Sequence, residues 1–422
     1  MEIINEIIVF AMMVFMLIGG LDRILDQFGG SVSVLSKIKL GFFGKSIEGV
    51  GKEFEEGFNS WGALSLAMVG VIALAPVLAY ILSPIIVPVF SALGASPAMF
   101  ATSILANDMG GYFLAKELVT QNGVVTDYAS WMYAGLILGS MMGPTIVFTI
   151  PVGLGIIDLK DRPVLALGIL AGIVAIPLGC IAGGLVAVNS TILTPEGAPI
   201  IFTYGIVFKN LIPIIIFSAI ISLGLWKIPD LMIKGFMVFA KILVALITVG
   251  LVAIVWESLT GMALIPGLDP ILPIPGDIPT IDIRALEVIG RIALVLAGAY
   301  PMVFLVSRWF KKPLTKLGTK LGVSEISAIG FIATLANCIP MFKILNKMDD
   351  RGKVLNIAFA VSAAFTLGDH LGFTAAVKPD MIFPVIVGKL TGGITAILIA
   401  MLIVKNMKTN DSYQVTNETP VN

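Results

Sequence analysis

The sequence predicts an all-α polytopic membrane protein, and three observations carry that prediction. Of its 422 residues, 57% are apolar or aromatic and 13% are charged, where a soluble globular domain carries about 25% charged residues. Mean hydropathy is +1.01. The apolar residues also gather into eleven stretches of the length that a helix of about 20 residues needs to cross the hydrocarbon core. These run roughly over 3–21, 62–83, 97–118, 129–150, 164–188, 203–225, 234–256, 286–307, 324–345, 354–376 and 381–404. A water-soluble fold is excluded.

The connections carry little structure of their own. The chain opens Met1-Glu2-Ile3-Ile4-Asn5-Glu6, acidic and without a basic n-region, so the first stretch is expected to be a crossing and not a cleaved signal. Residues 26–60 are rich in Gly, Lys and Glu and read as a solvated connection. Residues 405–422 are polar and aperiodic and read as a disordered tail. A single transporter domain is expected over 1–404.

Within that domain the two halves match weakly, as transporter repeats do. Pro76 falls on Pro301, Leu93-Gly94 on Leu321-Gly322, and Leu105-Ala106-Asn107 on Leu335-Ala336-Asn337. Gly143 falls on Gly368, and Gly168-x-Leu170-x-Gly172 on Gly388-x-Leu390-x-Gly392. Repeat one is expected over about 1–190, a linker segment over about 203–225 and repeat two over about 234–404.

Basic residues decide how many stretches cross. If all eleven cross, Lys and Arg divide 12 against 10 between the two faces; if 97–118 and 324–345 enter and return, they divide 19 against 3. The second arrangement obeys the positive-inside rule. It predicts nine crossings, two re-entrant hairpins, an inverted repeat, the N-terminus outside and the C-terminus in the cytoplasm.

Charge and cysteine usage narrow the function. Lys+Arg and Asp+Glu number 27 each, so no basic field draws nucleic acid. One histidine and two cysteines, Cys180 and Cys338, offer no metal-ligand spacing and no disulfide framework. There is no Walker loop, dinucleotide fingerprint or His-Glu-x-x-His. No enzyme activity, cofactor or ATP-driven transport by this chain alone is expected, which leaves a secondary transporter or facilitator.

A carboxylate deep in the membrane costs about 2.5–3.5 kcal/mol on insertion scales and so needs a partner, a cavity or a role. Asp108 sits mid-stretch in Asn107-Asp108-Met109-Gly110-Gly111-Tyr112, where paired glycines break the helix. It either binds a cation or caps the next half-helix. Asn337, in Asn337-Cys338-Ile339-Pro340, either contacts ligand or satisfies backbone freed by the proline. Gly368-Asp369-His370-Leu371-Gly372-Phe373 places an acid and the sole histidine between glycines, for cation binding and proton relay or as a mutually satisfied pair. Thr145, after Gly143-Pro144, is a candidate hydroxyl ligand. Tyr112 is the candidate aromatic face for an ammonium group. Lys116, Glu117 and the Glu287–Arg291 pair read as structural charges, and Lys209, Lys241 and Lys389 as lysines that snorkel or brace a carboxylate, none of them a ligand. Gly168-Ile169-Leu170-Ala171-Gly172 reads as close helix packing.

Several longer motifs resemble a known family. These are Asn5-Glu6-Ile7-Ile8, Asp22-Arg23-Ile24-Leu25, Gly44-Lys45-Ser46-Ile47-Glu48-Gly49, Phe54-Glu55-Glu56-Gly57-Phe58, Asp108-Met109-Gly110-Gly111, Met142-Gly143-Pro144-Thr145-Ile146-Val147-Phe148, Ile265-Pro266-Gly267-Leu268-Asp269-Pro270 and Gly368-Asp369-His370-Leu371-Gly372-Phe373. They are similar to the ethanolamine permease family of bacterial ethanolamine-utilisation operons, over residues 1 to about 404. The resemblance implies a bacterial inner-membrane protein that carries ethanolamine into the cell for catabolism. The amine is largely protonated at neutral pH, as lysine is with a pKa of about 10.4. Asn107, Asp108, Tyr112, Thr145, Asn337, Asp369 and His370 are the candidate substrate contacts, from the residues and not from the resemblance. Two alternatives stand beside this reading: an ion-coupled symporter of another small polar solute, and a membrane scaffold or receptor that moves nothing. A homo-oligomer is an open expectation.

Overall fold

The structure is a computed structural model and describes residues 2–278, 283–320 and 322–404. The expected tail at 405–422 lies outside the described residues. The chain is almost wholly helical, and among the described residues eight helices are long and apolar enough to cross a membrane. They are α1 (Glu2–Asp26), α4 (Val50–Ala92), α7 (Tyr128–Ile156), α8 (Arg162–Val188), α9 (Tyr204–Lys227), α10 (Pro229–Thr260), α11 (Ala285–Lys320) and α16 (Ile382–Ile403). Each is built from an apolar run that the hydrocarbon favours, and outside its proline and glycine breaks each satisfies its own backbone.

One expectation is corrected. Residues 26–60 are not a solvated connection: α2 (Ser31–Ser36), α3 (Gly41–Ile47) and the first turns of α4 are helical and pack on the bundle. Asp22 of α1 is fully buried and accepts bonds from the Ser31 hydroxyl and from the Gly51 N–H at 2.8 Å. At 43 residues, α4 runs about 65 Å at 1.5 Å per residue, roughly twice the hydrocarbon thickness.

The other elements are short. α5 (Ala98–Ile104) and α6 (Gly111–Glu117) pack on each other across a break in which Leu105 and Ala106 are extended. α12 (Glu325–Ala336) and α13 (Cys338–Lys343) do the same about an extended Asn337. None of the four reaches the roughly 20 residues of a crossing. A two-stranded hairpin of β1 (Thr120–Gln121) and β2 (Val124–Val125) precedes α7. α14 (Asp350–Ala363) and α15 (Asp369–Val377) form one further broken segment.

Hydrogen bonds between loops fix where the short pairs begin and end. The Ser96 N–H donates to Asn210 Oδ1 (2.8 Å), and Asn210 Nδ2 donates to the Ser130 hydroxyl (2.9 Å). The chain therefore leaves Ser96, passes through α5 and α6, and comes back to the same place. Asp349 does likewise for α12 and α13. It accepts from the Ser324 N–H (2.9 Å), the Ser327 hydroxyl (2.7 Å) and the Gly352 N–H (2.9 Å), clamping the starts of α12 and α14 together.

The remaining loops sort in the same way. The Asn5 side chain bonds the Asp380 carbonyl and the Phe383 N–H, and the Leu193 N–H donates to Asp380, so these loops share a face. Lys353 pairs with Asp161 (2.8 Å), and Arg308 donates to the carbonyls of Ser46 and Glu48. Eleven crossings would place Asp161 and Lys353 on opposite faces, and Glu48 and Arg308 likewise.

Helix order recurs along the chain. A long helix, a broken pair, a broken crossing and a long helix occur as α4, α5–α6, α7 and α8, and again as α11, α12–α13, α14–α15 and α16. α1 packs on α11 while α10 packs on α4, and α8 meets α16 where Gly179 and Gly183 face Gly388. Gly168 and Gly172 of α8 pack on Ile357 and Val361 of α14, the close packing that their spacing predicts.

Two predictions follow from this arrangement. Cys180 and Cys338 are buried, so single cysteines report without background. An impermeant maleimide should label Ser91→Cys and Gln121→Cys from one side of the membrane and Lys160→Cys from the other; Ser91→Cys grouping with Lys160→Cys would restore eleven crossings. The second concerns Asp349. Burial alone would raise its pKa, but the donors from Ser324, Ser327 and Gly352 outweigh burial and hold it below the usual carboxylate range. A lowered folded pKa gives stability that is present above the unfolded value of about 3.9 and is lost as pH falls through the folded one. Asp349→Asn should cost about 0.5–2 kcal/mol at neutral pH, and the gap in thermal midpoint from the native chain should close in the acid range.

Candidate functional site

Helix breaks build the site. Pro144 has no N–H, so the Ser140 carbonyl four residues earlier in α7 has no intrahelical donor. Lys389 of α16 takes that place, its Nζ lying 2.5 Å from the Ser140 oxygen and 2.9 Å from His370 Nδ1. Lys389 is 1% exposed. Of the two readings open from the sequence, snorkelling and bracing a carboxylate, it does not snorkel and lies within Coulombic range of Asp108; Lys209 and Lys241 are exposed, as snorkelling lysines would be.

The second broken crossing is opened by Phe365, which has φ 61, a left-handed backbone uncommon for a bulky residue. Its N–H turns away from Val361 and donates to the Thr334 carbonyl (3.1 Å), and the Leu367 N–H donates to that of Leu335 (2.9 Å). The Thr145 hydroxyl shares its one proton between the freed Val361 carbonyl (3.0 Å) and Met141 O (2.8 Å). Thr145 is fully buried and joins the two broken crossings, so its hydroxyl is committed to backbone and is not free for a ligand.

Two glycines let the tips of the short pairs reach these breaks. A Cβ on Gly143 would lie 2.0 Å from Leu105 O, and one on Gly368 would lie 2.1 Å from Ala336 O. Backbone of each tip thus rests directly on a broken crossing, in the order Leu105-Ala106-Asn107 and Leu335-Ala336-Asn337.

The titratable groups converge there. His370 Nε2 lies 3.9 Å from Asp108 Oδ1. Lys389 Nζ and His370 Nδ1 share a hydrogen bond whose direction follows the imidazole tautomer, and Nε2 is the ring nitrogen that faces Asp108. Asp369 lies within Coulombic range of Asp108 and accepts from the Tyr300 hydroxyl of α11 at 2.5 Å. The Phe365 ring stands 5.1 Å from the imidazole and 5.4 Å from Phe148. Asp108 is 17% exposed and Asp369 is half-buried, so both reach open space.

Asn107 precedes Asp108, is fully buried, and has no hydrogen-bond partner for either amide atom among the described residues. Asn337 Oδ1 accepts from the Ile339 N–H at 2.9 Å and caps α13, a backbone role but not the carbonyl bond its sequence suggests. Tyr112 is 4% exposed and packed among Trp131, Phe113 and Phe373, with its hydroxyl toward Met132 sulfur (3.9 Å); its ring serves packing. The structure therefore brings Asp108, Asp369 and His370 together with Asn107 alongside, and turns Thr145, Asn337 and Tyr112 to structural contacts. Sequence reasoning named Lys389 as a possible brace for a carboxylate but did not place it in the site, and it missed Tyr300, which nothing in the sequence marks.

The chain has relatives among known proteins. The family described as "Ethanolamine utilisation protein, EutH" matches residues 4–403. The chain is 60% identical over 415 residues to "Probable ethanolamine permease EutH" of Salmonella typhimurium, covering 98% of each chain. It is 61% identical over 401 residues to the Escherichia coli K12 protein of the same name, covering 95% of this chain and 96% of that one. A Bacillus subtilis relative, "Uncharacterized protein YxeR", is 41% identical over 93% of each chain. No solved structure matches.

Thr145→Val keeps the shape of the side chain but leaves the Val361 carbonyl without its donor. The variant should lose about 1–3 kcal/mol of stability, the cost of a buried unpaired polar group, seen as a lower thermal midpoint in detergent, while Thr145→Ser should hold it. An unchanged midpoint for Thr145→Val would show that the bond does not brace the breaks.

Proposed function

The chain belongs to the EutH family of ethanolamine utilisation proteins, and from that premise we propose that it carries protonated ethanolamine across the bacterial inner membrane for catabolism. One observation supports the substrate class above the rest. In this reading Lys389 is the ammonium and the imidazole is neutral, so the cluster holds two carboxylates, Asp108 and Asp369, which lie within Coulombic range of each other, and one ammonium within range of Asp108. The site is one positive charge short.

A small primary ammonium matches that deficit. Asp108 and Asp369 would hold its charge by charge-assisted hydrogen bonds, each worth about 1.5–3 kcal/mol. The unpartnered amide of Asn107 has a donor and an acceptor for the alcohol, and the backbone about Asn337 closes the opposite tip. His370 positions Asp108. The buried Asn107 implies that the tips shift when substrate enters. In this reading the two broken pairs and their crossings are inverted repeats that alternate access around the charge cluster. The N-terminus lies outside, and the face bearing Asp161, Arg308 and Lys353 is cytoplasmic.

The reading is tested by uptake of labelled ethanolamine into proteoliposomes at pH 5.5, where the free base that leaks through lipid is scarce. Saturable uptake above that of empty liposomes is expected. Asp108→Asn and Asp369→Asn should each lower it about 10- to 100-fold, with Tyr112→Phe near the native rate. Native rates in both aspartate variants would overturn the site, and uptake equal to empty liposomes would overturn carriage.

A further inference from the structure

A carrier must also return empty, and the same charge cluster constrains how. The ionisable groups facing one another are Asp108 beside α5, Asp369 and His370 of α15, Lys389 of α16, Tyr300 of α11 and Cys338 of α13. Glu56 of α4 stands further out and is exposed. Imidazolium is disfavoured, because Lys389 Nζ already lies 2.9 Å from Nδ1. Two carboxylates and one ammonium thus leave one negative charge on the empty site and none on a site holding a monocation.

An uncompensated charge moved through a region closed to water costs several kcal/mol. The loaded site avoids that cost and the empty one does not, unless it takes up a proton. The two acids are not equivalent in this respect. Asp369 has the Tyr300 hydroxyl at 2.5 Å and lies in the first turn of α15, where the helix dipole favours negative charge. Asp108 accepts no side-chain hydrogen bond among the described residues, and the nitrogen facing it stands 3.9 Å away. Its carboxylate is the one with room for a proton or for an ammonium.

Resting on the reading of Asp108 as an ammonium acceptor, we propose that the protein exchanges one ammonium substrate for one proton at this carboxylate, so that transport is electroneutral. Facing outward, the substrate ammonium displaces the proton of the Asp108 carboxylic acid to external water and pairs with the carboxylate. Facing inward, the ammonium leaves and a cytoplasmic proton re-forms the O–H bond. One cation enters, one proton leaves, and no net charge crosses. The sum is the same as entry of the free base, yet the species carried is the abundant protonated one. Membrane potential then neither drives uptake nor limits it, while a pH difference does.

The test uses the full-length protein in proteoliposomes with a lumenal pH dye, labelled ethanolamine, and potassium with valinomycin to set the potential. With pH equal on both sides, initial uptake should change less than about twofold between zero and about −120 mV. A lone cation would instead accumulate about tenfold for each 59 mV. The lumen should lose one proton per ethanolamine above the leak of empty liposomes, and a lumen one pH unit more acidic should accumulate substrate about tenfold. Asp108→Glu should keep both behaviours. Saturable uptake that follows potential without lumenal alkalinisation would overturn the exchange while leaving carriage of ethanolamine intact. One proton per ethanolamine persisting in Asp108→Asn would overturn Asp108 as the exchange site, and absence of saturable uptake would overturn carriage and exchange together.

Discussion

In hydrocarbon, a backbone carbonyl released by a helix break must find a donor, and the centre of this protein depends on where those donors come from. The Ser140 carbonyl, released by Pro144, is held by the Lys389 ammonium; the Val361 carbonyl, released by the turn at Phe365, is held by the Thr145 hydroxyl. Both donors come from another helix. The two broken crossings are therefore joined to each other and to α16 by bonds that neither could make alone. Without them the open backbone at membrane depth would be unaffordable.

The same bonds create the chemistry. Because Lys389 is drawn to Ser140, it also lies against His370 Nδ1, and the other ring nitrogen, Nε2, faces Asp108. A proline in one broken crossing thus helps to place a lysine beside the histidine of the other. The tips of the α5–α6 and α12–α13 pairs arrive beside this cluster because Gly143 and Gly368 have no side chain to keep them off. Ring packing by Phe365 and Phe148, and the aromatic group about Tyr112, surround the charges with apolar walls that strengthen every interaction among them.

Several parts of this were legible in the sequence because they rest on chemistry that stays local. The apolar runs, the glycine and proline breaks, and the acids stranded in apolar stretches need no tertiary knowledge, since hydrocarbon penalises each of them one residue at a time. Asp108, Asp369 and His370 were found in that way. Thr145 and Asn337 were found too, but their partners were not readable: whether a hydroxyl or amide faces ligand or backbone is decided by a carbonyl that is hundreds of residues away, as Val361 is from Thr145. Lys389 was left between two readings for the same reason. A long side chain in a helix can reach water or a buried acceptor, and only the position of Ser140 chooses between them.

The sequence alone determined that the chain is a polytopic helical membrane protein, which stretches are apolar enough to span, where several of them break, and which acids are too costly to be there without a partner, because transfer out of water is a property of each side chain and its near neighbours. The tertiary structure decided what those groups touch. It brought the ends of the short helix pairs back together, through Asn210 and Asp349, and it brought Tyr300 to Asp369 and Lys389 to His370. It also gathered two carboxyl groups, an imidazole and an amine in one place. Charge balance is a sum over groups gathered from distant parts of the chain, and no single stretch of sequence contains that sum.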